Sequence, residues 1–271
     1  MEETKEKISV FVITKNEEEK IERCLKSVAW ADEIIVLDSY STDKTENIAK
    51  KFTKKFYKKE FEGYGQQKQA AIDKCTNNWV LEVDADEIIT EELKEEIEAL
   101  QKNREKLEQY SAYKITRREY FLAKYLMAST IIRLYKKDKV QYKGTIHETV
   151  DVTGPIGELR GKIEHEADKY DTIEKRVEKN NNYTMLEAKR LYEEQGKRSI
   201  IYACCMMVLK PALYSTWLYF GKGLIWKGYR GIIWCLLTGH YHFLIYAKLY
   251  EHIYKAKYPS ASEICYEKTQ N

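Results

Sequence analysis

Proline and glycine are scarce in this chain, three and twelve among 271 residues. So few breakers leave no place for long linkers or low-complexity tracts, and no segment repeats. The six cysteines, Cys24, Cys75, Cys204, Cys205, Cys235 and Cys265, form no CxxC pair and keep no regular spacing. That pattern argues against zinc ligation and against a disulfide framework, and for a reducing cytoplasm. A GxGxxG after the first strand and a GxxxxGK[ST] are also missing, which disfavours a Rossmann dinucleotide site and a P-loop. The charged stretch Met1 to Lys7 runs straight into an apolar segment and shows no signal-peptide pattern. Two long apolar stretches lie beyond Ser199, but Lys210 and Pro211 interrupt one and Gly239, His240 and His242 the other. Neither offers eighteen unbroken apolar residues, so a transmembrane span is disfavoured.

What is present is an ordinary globular composition, 44% apolar and 33% charged. The length suits one large domain, or one domain with a helical appendage. The net charge of +3 is unevenly spread. Residues 181–271 hold twelve Lys or Arg against six Asp or Glu, leaving the first 180 slightly acidic.

Along the first half, strand and helix patterns alternate. Ile8–Ile13, Glu33–Ser39, Lys55–Lys58 and Trp79–Val83 read as strands, the first a continuous apolar run of the kind buried in a parallel sheet. Glu17–Val28 carries Ile21, Leu25 and Val28 at helical spacing; a second helix starts with Ser41 or Thr42 as N-cap; Tyr64–Cys75 reads as a third. This βαβαβαβ order predicts a mostly parallel central sheet flanked by helices, whose ligands sit at the carboxyl ends of the strands. Thr14, Lys15, Asn16 and Glu17 follow the first strand, Asp38, Ser39, Ser41 and Asp43 the second, and Asp84 and Asp86 the fourth. Two acids one residue apart at a strand end suit a hard divalent cation, Mg²⁺ or Mn²⁺, which shares oxygen ligands with substrate phosphates. Taken alone, "DADEIITEEL" would merely begin a helix with Thr90 as N-cap and acids in its first turn. Glu87 is assigned to that helix.

The segments "VFVITKNEEEKIERCLKSV", "EIIVLDSYSTDKT", "GYGQQKQAAI" and "WVLEVDADE" resemble, in order and spacing, the nucleotide-binding half of family 2 glycosyltransferases with a GT-A fold. The chain more closely resembles short bacterial members related to lipopolysaccharide-core β-1,4-glucosyltransferases. The later "YKGTIHETV" and "KPALYSTWLYFGKGLIWKGYRG" are similar to that subgroup's acceptor and C-terminal segments. The resemblance implies a GT-A catalytic domain over residues 1–165, with a nucleotide-sugar half (1–100) and an acceptor half (101–165), and a helical C-terminal region over 166–271. It implies that Thr14, Asn16 and Glu17 lie along the nucleotide, that Asp38, with Ser39 beside it, meets a uracil-type base, and that Gln67 and Lys68 approach the ribose or diphosphate. Asp84 and Asp86 match the DxD motif, with Asp86 holding the metal and Asp84 contacting the ribose or the metal shell. The cation and Lys68 would stabilise the leaving nucleoside diphosphate.

An inverting transfer needs a base for the acceptor hydroxyl, and the resembling subgroup carries a His-Glu pair near the acceptor. Glu148 is favoured as base; His147 is the alternative, as base or third metal ligand, because adjacent residues of a strand point to opposite faces. Arg117, Arg118, Lys124 and Arg133 either meet an anionic acceptor or pair with nearby acids. His165 is a further metal candidate. The resemblance implies a UDP-sugar donor, a glycolipid or lipopolysaccharide-core acceptor, and a cytoplasmic enzyme peripheral on the inner-membrane surface. Nucleic acid is disfavoured because the basic charge of the C-terminal third is interleaved with long apolar stretches. Trp217, Trp226 and Trp234 beside Lys222, Lys227, Arg230 and Lys248 suit an interfacial helix. The C-terminal helices alternatively pack on the sheet or on a second copy of the chain. The other functional readings are transfer to a polyprenyl phosphate or another polysaccharide, and a nucleotide-sugar-binding partner without turnover.

Overall fold

The computed structural model describes residues 5–143, 149–165, 172–194 and 199–258. The chain divides into two compact units, residues 1–169 and 170–271.

The first unit opens with β1 (Ile8–Thr14), α1 (Ile21–Ser27), β2 (Glu33–Asp38), α2 (Thr45–Ala49), β3 (Phe56–Lys58), α3 (Tyr64–Lys74) and β4 (Trp79–Asp84). It continues with β5 (Glu87–Ile89), α4 (Glu91–Lys102), α5 (Arg104–Glu108), β6 (Ala112–Phe121), β7 (Lys124–Lys136), β8 (Val140–Lys143), β9 (Thr149–Val152) and β10 (Ile156–His165). Eight strands form one sheet in the order β3-β2-β1-β4-β7-β6-β10-β5, and β8 and β9 pair separately. The β3-β2-β1-β4 half is parallel throughout, as its α-helical crossovers require. β7 runs against β4 and β6, and β5 runs against β10, so the complete sheet is mixed.

The mostly apolar sequences of β1 and β4 follow from burial on both faces. Ile8, Val10 and Val12 join Leu81 and Val83 in a cluster with Ile21 and Leu25 of α1 and Leu93 and Ile97 of α4. Phe11 and Val80 point the other way and pack with Ile35, Leu37 and the α3 residues Ala71 and Ile72. Successive side chains on opposite faces thus meet two different helical layers.

Several boundaries differ from the sequence expectation. The first helix begins at Ile21, because Glu17 to Lys20 form a turn instead. The second begins at Thr45, and neither Ser41 nor Thr42 caps it. Ser41 is engaged by Asp38 and Asn16, and the Asp43 carboxylate accepts from Thr45 N at 2.9 Å. Thr90 does cap α4, accepting from Leu93 N. Glu87 lies outside that helix, in the three-residue strand β5, because His165, Glu164 and Ile163 of β10 pair with Glu87, Ile88 and Ile89.

The second unit holds α6 (Ile173–Glu194), α7 (Ile200–Thr216) and α8 (Tyr229–Lys257). Ala188 and Leu191 of α6 meet Ala203 of α7 and Ile245, Tyr246, Leu249 and Ile253 of α8. The residues that interrupt the apolar runs lie inside continuous helices. Pro211 forfeits one backbone donor, yet α7 runs through it and ends in a wider π turn, Trp217–Gly221. Gly239 sits inside α8 where α7 comes close: a Cβ there would lie 2.7 Å from Ser215 Oγ. The stretch Ile200–Gly221 is therefore long and apolar enough to cross a membrane, and almost none of it is buried.

Candidate active site

The sheet register brings the first set of polar residues to one level. Thr14 of β1 pairs with Asp38 of β2, and Ile13 with Asp84 of β4. Adjacent strands lie about 4.8 Å apart, so three strand ends form one short edge. Beyond it the chain turns sharply. Asn16 is left-handed (φ 55°), a conformation that asparagine tolerates better than most residues. Its backbone N–H donates to Ser41 Oγ at 2.8 Å, and its side-chain oxygen accepts from Thr42 N at 2.8 Å. Glu17 N donates to Thr45 Oγ1 at 2.8 Å, and Ser39 N to the Thr14 carbonyl at 2.9 Å. Asp38, fully buried, accepts from the backbone and hydroxyl of Ser41. The loops after β1 and β2 are thereby locked to each other. Gln67 of α3 reaches the same edge, donating to Ser39 Oγ at 2.9 Å and to the Lys59 carbonyl at 3.2 Å. Thr14 Oγ1 and Gln67 Oε1 are buried and have no hydrogen-bond partner among the described residues, which marks this edge as able to take further polar contacts.

The acidic end of β4 is built on a buried charge ladder. Arg133 of β7 reaches Glu82, Asp84 (2.6 Å) and Glu87 (2.9 Å) with one guanidinium. Lys68 Nζ lies 2.7 Å from Glu82 Oε1, and Tyr135 and Tyr142 direct their hydroxyls to the same carboxylate. Glu87 also accepts from Asp84 N at 3.0 Å and from Arg117 at 3.3 Å. Arg117 Nε in turn donates to Glu119 at 2.7 Å. Glu119 contacts His165 Nδ1 at 2.5 Å, and the opposite nitrogen, Nε2, lies 3.5 Å from Asp86 Oδ1.

Burial and the neighbouring Asp84 carboxylate push the Glu87 carboxyl up to about 8, against the pull of the Arg117 guanidinium. Burial would lower the His165 imidazole, but its hydrogen bonds with Asp86 and Glu119 raise it to about 10. In this arrangement His165 is an imidazolium paired with two acids. Burial lifts the Cys24 thiol well above its usual value, and the carboxylates of Glu87, Asp86 and Asp84 add to that, so this buried thiol is unreactive.

The structure thus gathers Thr14, Asn16, Glu17, Asp38, Ser39 and Gln67 at one edge. Asp84 and Asp86 stand at the end of the adjacent strand, and Lys68 is buried against Glu82. His147 and Glu148 lie outside the described residues. Of the two readings for the arginines, pairing with acids is the one observed: Arg118 meets Glu164 at 3.1 Å, alongside the contacts of Arg117 and Arg133. Sequence reasoning missed Glu82 and the centrality of Arg133. A glutamate inside an apolar strand was the available signal, since such a group is retained only with partners.

Asp84 and Asp86 are partly exposed carboxylates that already face Arg133 and His165, and Mg²⁺ or Mn²⁺ sharing its shell with phosphates would draw on their remaining oxygens. Among the described residues no three His, Cys, Asp or Glu side chains converge into a protein-only cage.

The sequence model for glycosyl transferase family 2 matches residues 9–156. An uncharacterized glycosyltransferase of Rickettsia typhi is 34% identical, covering 95% of this chain and 91% of its own. The lipopolysaccharide core biosynthesis glycosyltransferase LpsC of Rhizobium meliloti is 28% identical over 92% of this chain and 94% of its own. Among solved structures, S. aureus TarS 1-349 in complex with UDP-GlcNAc is 20% identical, with a TM-score of 0.37 over 66% of this chain and 65% of that one.

Proposed function

The chain belongs to glycosyl transferase family 2, and from that premise we propose that it moves a hexose from a UDP-sugar to a cell-surface glycolipid of the lipopolysaccharide-core kind, with inversion. One observation carries the reading: the register that sets Thr14, Asp38 and Asp84 on three neighbouring strand ends, with Asp86 just beyond. The acceptor class is supported by the similarity to LpsC along nearly the whole of both chains.

In this reading Asp38 and the interlocked Asn16 and Ser41 turn form the cradle for the base, and Thr14 and Gln67 use their unpartnered oxygens on the nucleoside. Glu17 and Ser39 complete that wall. Asp86 and Asp84 would hold a divalent cation, which would supply positive charge to the leaving diphosphate. Arg133 and Lys68 keep the positive charge beneath the acids fixed, so the carboxylates need not reorganise during reaction. The acceptor oxygen attacks the anomeric carbon as the bond to the phosphate oxygen breaks and its electron pair leaves with UDP. Glu148 takes the hydroxyl proton, with His147 as the alternative. The exposed apolar α7 supports an enzyme peripheral on the cytoplasmic face of the membrane.

Incubating the full chain with Mn²⁺ and a series of UDP-sugars, and measuring UDP release with a glycolipid acceptor, tests the proposal. Release with one donor that disappears in Glu148→Gln supports it. No release with any donor, or release undiminished in Asp86→Asn, overturns it.

A further inference from the structure

We infer that the α7–α8 hairpin is a monotopic anchor for an anionic phospholipid bilayer, inserted at the headgroup level by its bend. This deepens the membrane element of the proposed function and does not depend on the donor chemistry.

The first observation is what the hairpin leaves outside. Along α7 and its π turn, Ile201, Val208, Leu209, Leu213, Trp217 and Phe220 are exposed. Leu209, Leu213, Trp217 and Phe220 recur at three- and four-residue steps and form one stripe, with Ile201 and Val208, seven residues apart, beside it. Tyr229, Ile232, Leu236 and Phe243 make a corresponding stripe on α8. At the bend Trp226 and Tyr229 are each 85% exposed. Contiguous apolar surface on this scale marks an interaction site, because water solvates it poorly.

The second observation identifies the occupant. From Gln195 to Tyr250 the chain contains no Asp or Glu, yet it contains seven Lys or Arg: Lys197, Arg198, Lys210, Lys222, Lys227, Arg230 and Lys248. Three of these cations, Lys222, Lys227 and Arg230, are in or next to the bend, interleaved with its exposed rings. The Lys222 ammonium lies 5.1 Å from the Trp217 ring. Indole and phenol rings prefer the boundary between headgroups and acyl chains, and lysines and arginines beside them pair with lipid phosphates. A second copy of the chain fits this face less well. A symmetric dimer would set cation against cation, and the segment carries no carboxylate to separate them.

Depth follows from the same residues. Ile200–Gly221 is 22 residues, about 33 Å of helix, enough for a bilayer core of about 30 Å. A span would carry the three bend cations through hydrocarbon and leave Lys210 near its centre, where a charged side chain is poorly tolerated. Lying at the interface, the bend keeps its cations in water and phosphate while the two stripes enter the acyl layer.

The full chain is tested by flotation with phosphatidylcholine vesicles, with and without phosphatidylglycerol. Anionic vesicles should bind about a hundredfold more tightly, and Lys222→Glu with Lys227→Glu and Arg230→Glu should abolish that preference. Trp226→Ser with Tyr229→Ser should weaken binding to either vesicle. Both positions are exposed, so circular dichroism should be unchanged. Tryptophan fluorescence should be quenched most by lipids brominated near the headgroup. Equal binding to neutral vesicles, no binding, quenching deepest at the bilayer centre, or a dimer in solution that ignores vesicles would each overturn the inference. Both bend variants should keep UDP release with a soluble acceptor, and Asp86→Asn should keep vesicle binding. Failure of the anchor and failure of the transferase reading are thereby separable.

Discussion

Arg133 of β7 donates to Asp84 of β4 at 2.6 Å, so the first acid of the DxD is held by a strand from the other half of the unit. The same guanidinium serves Glu82 and Glu87, both buried. Arg133→Met would leave the buried Glu82 carboxylate with Lys68 alone and take a hydrogen bond from the Glu87 carboxyl; removing one partner of a buried pair costs about 3–5 kcal/mol. Urea unfolding should show that loss. Arg133→Lys should recover part of it, because an ammonium reaches one acid at a time where a guanidinium reaches three. Equal stability of Arg133→Met and wild type would refute the ladder as a structural element.

The two DxD acids should separate in their effects. Asp86 stands at the strand end with His165 beside it, whereas Asp84 is tied into the ladder. Asp86→Asn is expected to lower kcat by about 10²–10³, the size seen when one charge-stabilising group is removed from a reaction centre. It leaves His165 with Glu119 as its partner, so it should cost less stability than Asp84→Asn. Asp84→Asn should lower activity and also shift stability. Matched kinetics and urea melts on the two variants decide this; a destabilised Asp86→Asn with an unaffected Asp84→Asn would reverse the assignment.

These residues also show what the sequence could and could not reveal. β1, β2 and β4 were legible because both of their faces are buried, which writes a mostly apolar run into the chain. The strand-end polar residues followed from the rule that ligands sit at carboxyl edges. Glu87 was misplaced because "EIITEEL" looks locally like a helix start. The strand it joins is fixed by His165, Glu164 and Ile163, more than seventy residues away. The pairing of Lys68 with Glu82, and of His165 with Asp86, is likewise set by register between distant strands and leaves no local pattern. Pro211 and Gly239 interrupt the apolar pattern without ending the helices that contain them.

Glu33 supplies an acid-sensitive element at the opposite end of β2. Burial opposes its charge, but Lys55, Ser9 and Thr76 all hydrogen-bond to it and bring the carboxyl down to about 2. A carboxylate depressed in the folded state adds stability that is complete above its unfolded value near 4.5 and is lost as pH falls through about 2. The contribution at neutral pH is on the order of 2 kcal/mol, reduced because Lys55 reaches solvent. Glu33→Gln should therefore flatten the stability profile between about pH 5 and pH 2. Parallel profiles for the two proteins would show that Glu33 is not the group responsible.

Gly161 tests how tightly α4 is seated on the sheet. It lies in β10 at the point where pairing with β6 shifts register, between Glu158 and Lys162. The N–H groups of Arg160 and Gly161 both donate to Glu96 Oε2 at 2.9 Å, so the irregular backbone is bound to α4. A Cβ on Gly161 would sit 2.2 Å from Leu93 Cα and 2.5 Å from Leu93 N. Those are backbone atoms of the first turn of α4, which Thr90 fixes by capping Leu93 and by donating to the Lys162 carbonyl at 2.9 Å. Neither side can yield by a rotamer change, so Gly161→Ala must displace the helix. Overpacking of this kind costs about 1–3 kcal/mol, and here the loss of the two Glu96 hydrogen bonds adds to it. Leu93→Ala alone should also destabilise, by emptying a core position, but Leu93→Ala cannot rescue Gly161→Ala, because the clash is with the Leu93 backbone. The double variant should accordingly be less stable than either single one. Recovery of stability in the double variant would mean that the Leu93 side chain, not the helix backbone, sets the distance.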